Sequence, residues 1–371
     1  MEPGEKDQTG LEKGTGSVST GAEANAGVMP VRAGFGFAVE PLARWMAEHV
    51  AGFEGPLEVL QFKGGQSNPT FMLRAKSGDY VLRRKPGGQL AKGAHAIDRE
   101  ARVLSALDKV GFPVARVHGL CLDESVIGSI FFVMEMVEGR IFWDASFSEL
   151  PAPERAAYFM EMNRVLAQLH GIDPDAVGLG DYGRSGNYFE RQIGRWTKSY
   201  LADTDAGRDA IMDRLIEWLP TAIPDGDEST IVHGDFRCDN LIFHPTEPRV
   251  LAVLDWELST LGHPLADFAY HALMYRMPPQ IVAGLDGMDP ATLSLPTEAE
   301  YIAAYCANTG RTGIPNYDFY IAFNFFRMAA IFHGIKGRVA GGQASSAHAA
   351  GRLAAYPRLL KLAQEAMDAC T

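Results

Sequence analysis

The chain has 371 residues, of which 47% are hydrophobic and 22% charged, and its formal net charge is −12. A chain of this length is too long for one ordinary hydrophobic core, which predicts two lobes. Its negative net charge argues against a nucleic-acid partner. The four cysteines lack C-x-x-C spacing, no apolar signal segment is evident, and no apolar run reaches the roughly 20 residues of a membrane span, which together predict a cytoplasmic protein without a membrane partner.

The first part of the chain carries a β-rich pattern. A helix is expected at 40–51, where Pro41 stands in the first turn. Apolar and polar residues alternate over 57–85, and the turn sequences GGQSNP and SGD divide this stretch into three antiparallel strands. One further helix and two further strands are expected near 96–110, 114–121 and 130–136.

The second part carries a helical pattern. Apolar residues recur at a spacing of three to four over 153–173, and 264–370 is also expected to be mostly helical. A short hairpin, with strands at 240–244 and 250–254, interrupts the helices. These patterns predict an α+β fold, in which a small antiparallel sheet with one central helix precedes a mainly helical lobe. The expected divisions are a disordered tail at 1–33, an N-terminal lobe at 34–139 and a C-terminal lobe at 140–371.

The stretch IVHGDFRCDN, at 231–240, concentrates charged and polar side chains after an apolar run. Asp235 lies in its loop, and Asn240 begins the first strand of the predicted hairpin. Because a hairpin brings its two ends together, Asp255, just past the second strand, is expected beside Asn240. An amide oxygen next to a carboxylate suits Mg²⁺, and Asp235 would then act on a substrate hydroxyl. The alternative is that these residues only cap and satisfy loops.

The motif HGDFRCDN, with DWE beginning 20 residues after Asp235, resembles the motif pair of the aminoglycoside-phosphotransferase-like family, which shares the protein-kinase-like fold. The resemblance implies a phosphotransferase that uses ATP and Mg²⁺. Asp235 would be the catalytic base, and Asn240 and Asp255 would hold the metal. His233 would support the loop structurally, and Asp267, in GHPLADFAY, would brace it.

The same resemblance makes the N-terminal lobe the nucleotide-binding lobe. Glu135 to Val137 would form a hinge whose backbone groups bind adenine, and Val81 would cover the adenine ring. The turn in FKGGQSNPTF resembles a phosphate-covering loop, although a plain hairpin turn is the alternative. Its candidate residues are Gly64, Gly65, Ser67 and Asn68.

A cation on the third strand is expected to hold the phosphates. Alternation puts Val81 and Arg83 on one face, and Arg83 aligns with the Lys that is usual in the family. Arg84 is the alternative if the register slips by one residue. Glu100 lies on the apolar stripe of the following helix, and an inward carboxylate needs a cation. An ion pair of Glu100 with Arg83 or Arg84 is therefore predicted.

Basic residues suggest the chemistry of the acceptor. Arg191 and Arg195 share one face of a predicted helix, either as a solvated face or as a basic patch for an anionic small molecule. Arg327 lies in an otherwise apolar helical stretch, where it needs an internal acid or an anionic ligand. Glu257, in DWE, either lies near the metal or faces solvent.

Several stretches, among them GNYFERQIGRW and FRMAAIFHGI, resemble the domains of this family that accompany acyl-CoA dehydrogenases. That resemblance implies a hydroxyacyl-CoA or a hydroxy acid as the acceptor, although fold does not determine substrate. Two alternatives stay open. One is a catalytically silent nucleotide- or acyl-CoA-binding protein, suggested by the Arg at the usual Lys position. The other is an aminoglycoside kinase, which the basic stripe at 191–198 disfavours.

Overall fold

The computed structural model describes residues 27–63, 68–86, 96–279, 281, 283–341 and 347–370. Residues 1–26 of the expected tail therefore lie outside the described residues. The last part of that prediction is wrong, because Val28–Met29 is a short edge strand that pairs with the next strand of the sheet. Two apolar residues give no periodicity from which a strand could be recognised, so composition alone missed it.

One antiparallel sheet forms the N-terminal lobe. Its strands are β1 Val28–Met29, β2 Glu58–Phe62, β3 Thr70–Ala75, β4 Gly78–Arg84, β5 Val117–Cys121 and β6 Phe131–Glu135. They are arranged in the order β1-β2-β3-β4-β6-β5. The alternating stretch at 57–85 thus forms the three adjacent strands that its pattern predicts, and the two later strands pair at the other end of the sheet.

The two faces of this sheet pack against different partners. Helix α1 (Val39–His49) packs on the outer face, in a cluster that includes Phe71. Helix α2 (Ile97–Asp108) lies against the inner face and joins the core that continues into the helical lobe. Because side chains alternate along a strand, the neighbours Arg83 and Arg84 of β4 point to opposite faces.

The C-terminal lobe is built mainly from helices. They are α3 Ala152–His170, α4 Tyr188–Ala202, α5 Ala210–Trp218, α6 Pro264–Ala272, α7 Glu298–Thr309, α8 Tyr317–Ala340 and α9 Ala347–Asp368. Two short antiparallel pairs accompany them. These are β7 Thr230–Val232 with β10 Thr260–Gly262, and β8 Leu241–Phe243 with β9 Val250–Val253. The predicted α+β fold class is confirmed, and no helix in the described ranges is both long and apolar enough to cross a bilayer.

Phe243, at the end of β8, anchors the hairpin to the chain that leaves the sheet. Its N–H and carbonyl groups exchange hydrogen bonds of 2.8 Å with the backbone of Arg140. Its ring lies 5.3 Å from the rings of Phe142 and Tyr158. A Cβ at Gly139 would stand 2.3 Å from the Phe243 carbonyl oxygen, so glycine is needed for this close approach. The chain that leaves the sheet is therefore tied to the hairpin by backbone hydrogen bonds at this point.

Truncation of the Phe243 ring should destabilise the C-terminal lobe. Phe243→Ala removes a fully buried ring, and we expect the free energy of unfolding to fall by about 3–5 kcal/mol in chemical denaturation. Leu122→Ala is the control, because Leu122 is 64% exposed and surface changes usually stay within about 0.5 kcal/mol. Equal effects of the two substitutions would contradict the assignment of Phe243 to the core.

Candidate active site

A buried carboxylate fixes the loop that follows β7. Asp267, on α6, accepts hydrogen bonds from the backbone N–H of His233 at 2.7 Å and of Gly234 at 2.8 Å. His170 Nε2 lies 3.3 Å from the same carboxylate. Burial alone would raise the pKa of Asp267, but the hydrogen bonds from His170 and the backbone hold it below its usual range. The carboxylate therefore stays ionised and acts as a brace.

The conformations of Gly234 and His233 in this loop are fixed by their neighbours. Gly234 has φ +83°, and a Cβ there would lie 2.9 Å from the carbonyl oxygen of Leu258. His233 is fully buried, with Nε2 2.8 Å from the Leu254 carbonyl, and its Nδ1 accepts from the Asp235 N–H at 3.2 Å. These partners require the Nε2–H tautomer. The predicted supporting role of His233 agrees with this arrangement.

The hairpin brings the two predicted metal ligands to the same place. The N–H of Leu254 donates to the carbonyl oxygen of Asn240 at 2.8 Å, so Asp255 follows directly beside Asn240. Asp255 adopts a left-handed conformation with φ +62°, and its side chain is 37% exposed. An amide oxygen and a carboxylate are the hard oxygen donors that Mg²⁺ prefers, so the donor set fits that ion.

Asp235 lies at the centre of the loop with both carboxylate oxygens engaged. Asn240 Nδ2 lies 3.2 Å from Oδ2, and it also donates to the Asp235 carbonyl at 2.9 Å. The hydroxyl of Tyr270 donates to Oδ1. Arg237 Nε lies 3.7 Å from Oδ1, and its guanidinium forms a bidentate pair with Asp239 at 3.1 and 2.6 Å. The carboxylate is thus oriented before any ligand binds.

Arg83 connects the sheet to the helical lobe. Its Nε lies 2.6 Å from Glu100 Oε2, and its Nη2 lies 2.8 Å from Asp255 Oδ1 and 3.9 Å from Glu257 Oε2. Burial raises the pKa of Glu100 to about 7, and Arg83 opposes that rise. Asn68 donates to Glu100 Oε1 at 2.9 Å. The structure therefore places Arg83, Glu100, Asp255 and Glu257 in one cluster, with the side chain of Asn68 inside it.

The register of β4 decides between the two arginines. Arg84 donates to the Phe35 carbonyl at 3.2 Å, and its guanidinium lies 5.3 Å and 5.5 Å from the ring centres of Phe37 and Phe71. It therefore belongs to the outer face, away from Glu100. Burial lowers the pKa of Arg84, and the ion pair predicted for either arginine is made by Arg83.

The predicted adenine region lies at the end of β6. Val81 is buried on the inner face of β4 and pairs in register with Met134 of β6. Glu135 ends β6, with its N–H donated to the Arg116 carbonyl at 2.8 Å, and Val137 follows the strand. These residues are neighbours, as a hinge requires. Gly64, Gly65 and Ser67 of the expected phosphate loop lie outside the described residues.

A cleft of about 520 Å³ opens in front of Asp235. Glu257 and Arg327 are among its walls, whereas the described lining includes neither Arg191 nor Arg195. Those two arginines lie on α4, where Arg191 donates to the Arg184 carbonyl and Arg195 lies over the ring of Trp196. The apolar part of the wall consists of Trp143, Leu258, Ile281, Ala283, Met328, Ile331 and Phe332.

Arg327 enters the cleft from α8. Its Nη2 donates to the Gly234 carbonyl at 2.8 Å, and its guanidinium carbon lies 5.1 Å from the ring centre of Tyr270. The ion pairs found among the described residues include no acid for Arg327. The sequence left two partners open for Arg327, an internal acid or an anionic ligand. In the described part of the chain no acid pairs with it, and its guanidinium faces the cleft.

Sequence reasoning missed three residues around Asp235. Arg237 and Asp239 stand within the quoted motif, and their i,i+2 spacing on a tight loop could have suggested a local ion pair. Burial lowers the pKa of Arg237, but the negative charges of Asp235 and Asp239 raise it by more. The net shift of this pKa is therefore upward. Tyr270 ends the quoted stretch GHPLADFAY, three residues after Asp267 on α6, but nothing in that stretch signals a contact with Asp235. Only the packing of α6 against the loop reveals its contact with Asp235.

Comparison with known sequences gives a family. The sequence profile of the phosphotransferase enzyme family (APH) matches residues 58–323. Acyl-CoA dehydrogenase family member 10 of Mus musculus is 48% identical over 297 residues, which cover 80% of this chain and 28% of that protein. The chain thus spans less than a third of the length of that relative.

Comparison with solved structures agrees. A protein of Ralstonia eutropha JMP134, provisionally named an aminoglycoside phosphotransferase, is 50% identical, with a TM-score of 0.82 and coverage of 89% of this chain and 98% of that one. A spectinomycin phosphotransferase in complex with ADP and spectinomycin is 11% identical, with a TM-score of 0.57 and coverage of 89% and 98%. The second likeness shows fold alone. The fold is protein-kinase-like, as predicted.

Removal of the Arg83 guanidinium should leave Glu100 buried without its cation. We expect Arg83→Met to lower the free energy of unfolding by about 3–5 kcal/mol, and Arg83→Met/Glu100→Gln to recover part of that loss. Chemical denaturation of the four proteins of the double-mutant cycle measures the coupling.

The exposed ion pair of Arg74 with Glu58, 3.4 Å apart on neighbouring strands, is the matched control. Arg74→Met should cost less than about 1 kcal/mol. Additive effects of Arg83→Met and Glu100→Gln would refute the buried pair.

Proposed function

Since the chain belongs to the phosphotransferase enzyme family, we propose that it transfers the γ-phosphoryl group of ATP to a hydroxyl group of a small anionic molecule, with Mg²⁺. The observation that supports this proposal is the position of Asp235 in the wall of the cleft, with Asn240 hydrogen-bonded to it and Asp255 next to Asn240. A base, two oxygen ligands and space for an acceptor are the parts that such a transfer needs.

The N-terminal lobe would bind the nucleotide. Arg83 would contact the phosphates while Glu100 holds its guanidinium in place. Val81 would pack on the adenine, whose edge would face the backbone of Glu135 to Val137. The ADP bound by a spectinomycin phosphotransferase of the same fold supports ATP as the donor.

Asn240 and Asp255 would hold Mg²⁺, which when bound would neutralise charge on the phosphates. Arg83 already contacts Asp255 at 2.8 Å, so the guanidinium and the metal-binding carboxylate lie at the same edge of the site. Glu257, 3.9 Å from Arg83, belongs to this side of the cleft. Its contact with Arg83 favours a role near the nucleotide over contact with the acceptor.

Asp235 would orient the acceptor hydroxyl and take its proton. The acceptor oxygen forms a bond to the γ-phosphorus while the bond from that phosphorus to the β,γ-bridging oxygen breaks, so that ADP leaves. Most of the rate would come from positioning and from stabilisation of charge. The hydrogen bonds that Tyr270 and Asn240 donate to Asp235 fix the carboxylate for this task.

The acceptor would carry an anionic group and an apolar part. Arg327 faces the cleft beside the loop of Asp235, and the wall of the cleft also contains apolar side chains. A hydroxy acid or hydroxyacyl-CoA has this combination, and the similarity to an acyl-CoA dehydrogenase family member agrees with it. Arg191 and Arg195 would extend the basic surface on α4.

Asp235→Ala should abolish transfer while the protein stays folded. Mg²⁺-dependent ADP release is measured over a panel of hydroxyacyl-CoAs, hydroxy acids, aminoglycosides, sugars and amino alcohols. We expect release with hydroxy acids or their CoA esters, and its loss by a factor of about 10³ or more in the variant. Asp225→Ala, an exposed aspartate on the loop before β7, should remain fully active.

Each other outcome has a meaning. Turnover of aminoglycosides alone would replace the proposed acceptor by an antibiotic. ATP binding in calorimetry without turnover on any acceptor would favour a silent nucleotide-binding protein. An active Asp235→Ala variant would remove Asp235 from the chemistry.

Arg327→Met should weaken the binding of the acceptor and leave the binding of the nucleotide unchanged. A charge-assisted contact contributes about 1.5–3 kcal/mol, so we expect the KM of an anionic acceptor to rise about 10–100-fold while the dissociation constant of ATP stays constant. Arg338→Met, an exposed arginine on the same helix, is the control. A matching loss with a neutral acceptor would show that Arg327 does not bind the anion.

A further inference from the structure

Tyr270 contacts Asp235 from a helix that already holds the backbone of the same loop. It stands three residues after Asp267 on α6, so both side chains leave the same face of that helix. Asp267 accepts from the backbone of the loop, and the Tyr270 hydroxyl donates to Asp235 Oδ1. One helix therefore determines both the path of the loop and the direction of its carboxylate.

We propose that Tyr270 is a positioning residue for phosphoryl transfer, whose hydroxyl holds Oδ1 of Asp235 so that Oδ2 is presented to the acceptor. This inference rests on the proposed function, since it assigns Asp235 the acceptor hydroxyl. The Tyr270 hydroxyl contacts Asp235 and acts through that carboxylate.

The competitor for Oδ1 is Arg237. Its Nε lies 3.7 Å from Oδ1, and its guanidinium is held in place by the bidentate pair with Asp239. Without the Tyr270 hydroxyl, the positive charge would be the strongest attraction left for Oδ1. The Asp235 carboxylate would then turn toward Arg237. Its Oδ2 would move away from Asn240 Nδ2, which lies 3.2 Å from it in the structure. The Tyr270 hydroxyl therefore keeps the Asp235 carboxylate in its position between Arg237 and Asn240.

The ring of Tyr270 has a charged neighbour over one face and borders a small apolar pocket. Arg327 lies over one face at 5.1 Å from the ring centre. Met274 and Met328 line a small apolar pocket of which Tyr270 forms part. Burial and the charge of Asp235 raise the pKa of Tyr270, so the hydroxyl keeps its proton and remains a donor. A phenylalanine would keep the ring contacts and lose only the hydrogen bond.

The test uses Tyr270→Phe in the full chain, alone and combined with Asp235→Asn. We expect Tyr270→Phe to lower kcat about 10–100-fold, with the fold retained and the dissociation constant of ATP unchanged. In the Asp235→Asn background, followed with radiolabelled ATP, the same change should have no further effect. Tyr275→Phe is the matched control, because its hydroxyl donates to the Pro296 carbonyl at 2.9 Å and does not reach Asp235.

Two results would overturn the proposal: an unchanged kcat in Tyr270→Phe, or an equal fold loss in both backgrounds. Crystal structures of the wild-type protein and of Tyr270→Phe supply a readout that needs no acceptor. The proposal expects the Asp235 carboxylate to turn toward Arg237 in the variant, and an unmoved carboxylate would refute it. If no acceptor supports turnover in the wild type, the proposed function fails, and the two crystal structures still decide the role of Tyr270.

Discussion

The hydrogen bonds that the buried carboxylate of Asp267 accepts from two backbone N–H groups govern the rest of the site. The backbone around the left-handed Gly234 could adopt many conformations. The buried, ionised carboxylate of Asp267 stabilises one of them. Once that loop is set, His233 reaches Leu254, and Leu254 reaches Asn240. The loop of Asp235 and the hairpin that carries Asp255 are therefore parts of one hydrogen-bonded unit.

Two arginines of the site are each shared by more than one acid. Arg83 is shared by Glu100, Asp255 and Glu257, and Arg237 is shared by Asp235 and Asp239. Each arginine is held by acids that are themselves partly buried, which limits the number of positions it can adopt. Arg327 differs, because its partners in the described part of the chain are a carbonyl oxygen and an aromatic ring. An anion that enters the cleft would meet this cation without first breaking an ion pair.

The parts of this site that local pattern controls could be predicted from the sequence. Strand alternation placed Arg83 toward Glu100, and the hairpin at 240–254 placed Asp255 beside Asn240, since both depend on neighbours along the chain. The contacts that were missed join distant segments. Tyr270 reaches Asp235 across 35 positions, and Asn68 reaches Glu100 across 32. Neither has a periodic signature, because each depends on how whole elements pack. The basic residues on α4 likewise formed a predicted stripe, but their spacing could not reveal where that stripe lies relative to the cleft.

The backbone bridge between Arg140 and Phe243 has a mechanical consequence. Kinase-like lobes can only change their relative angle where the connecting chain is free to bend. Here the connection is tied to the hairpin from Arg140 onward, and the contact at Gly139 is too close for a side chain. A rotation of the sheet must therefore pivot on the few residues between the end of β6 and Gly139. The pivot thus coincides with the segment expected to hold adenine, so nucleotide occupancy and the angle between the lobes would be set by the same short piece of chain.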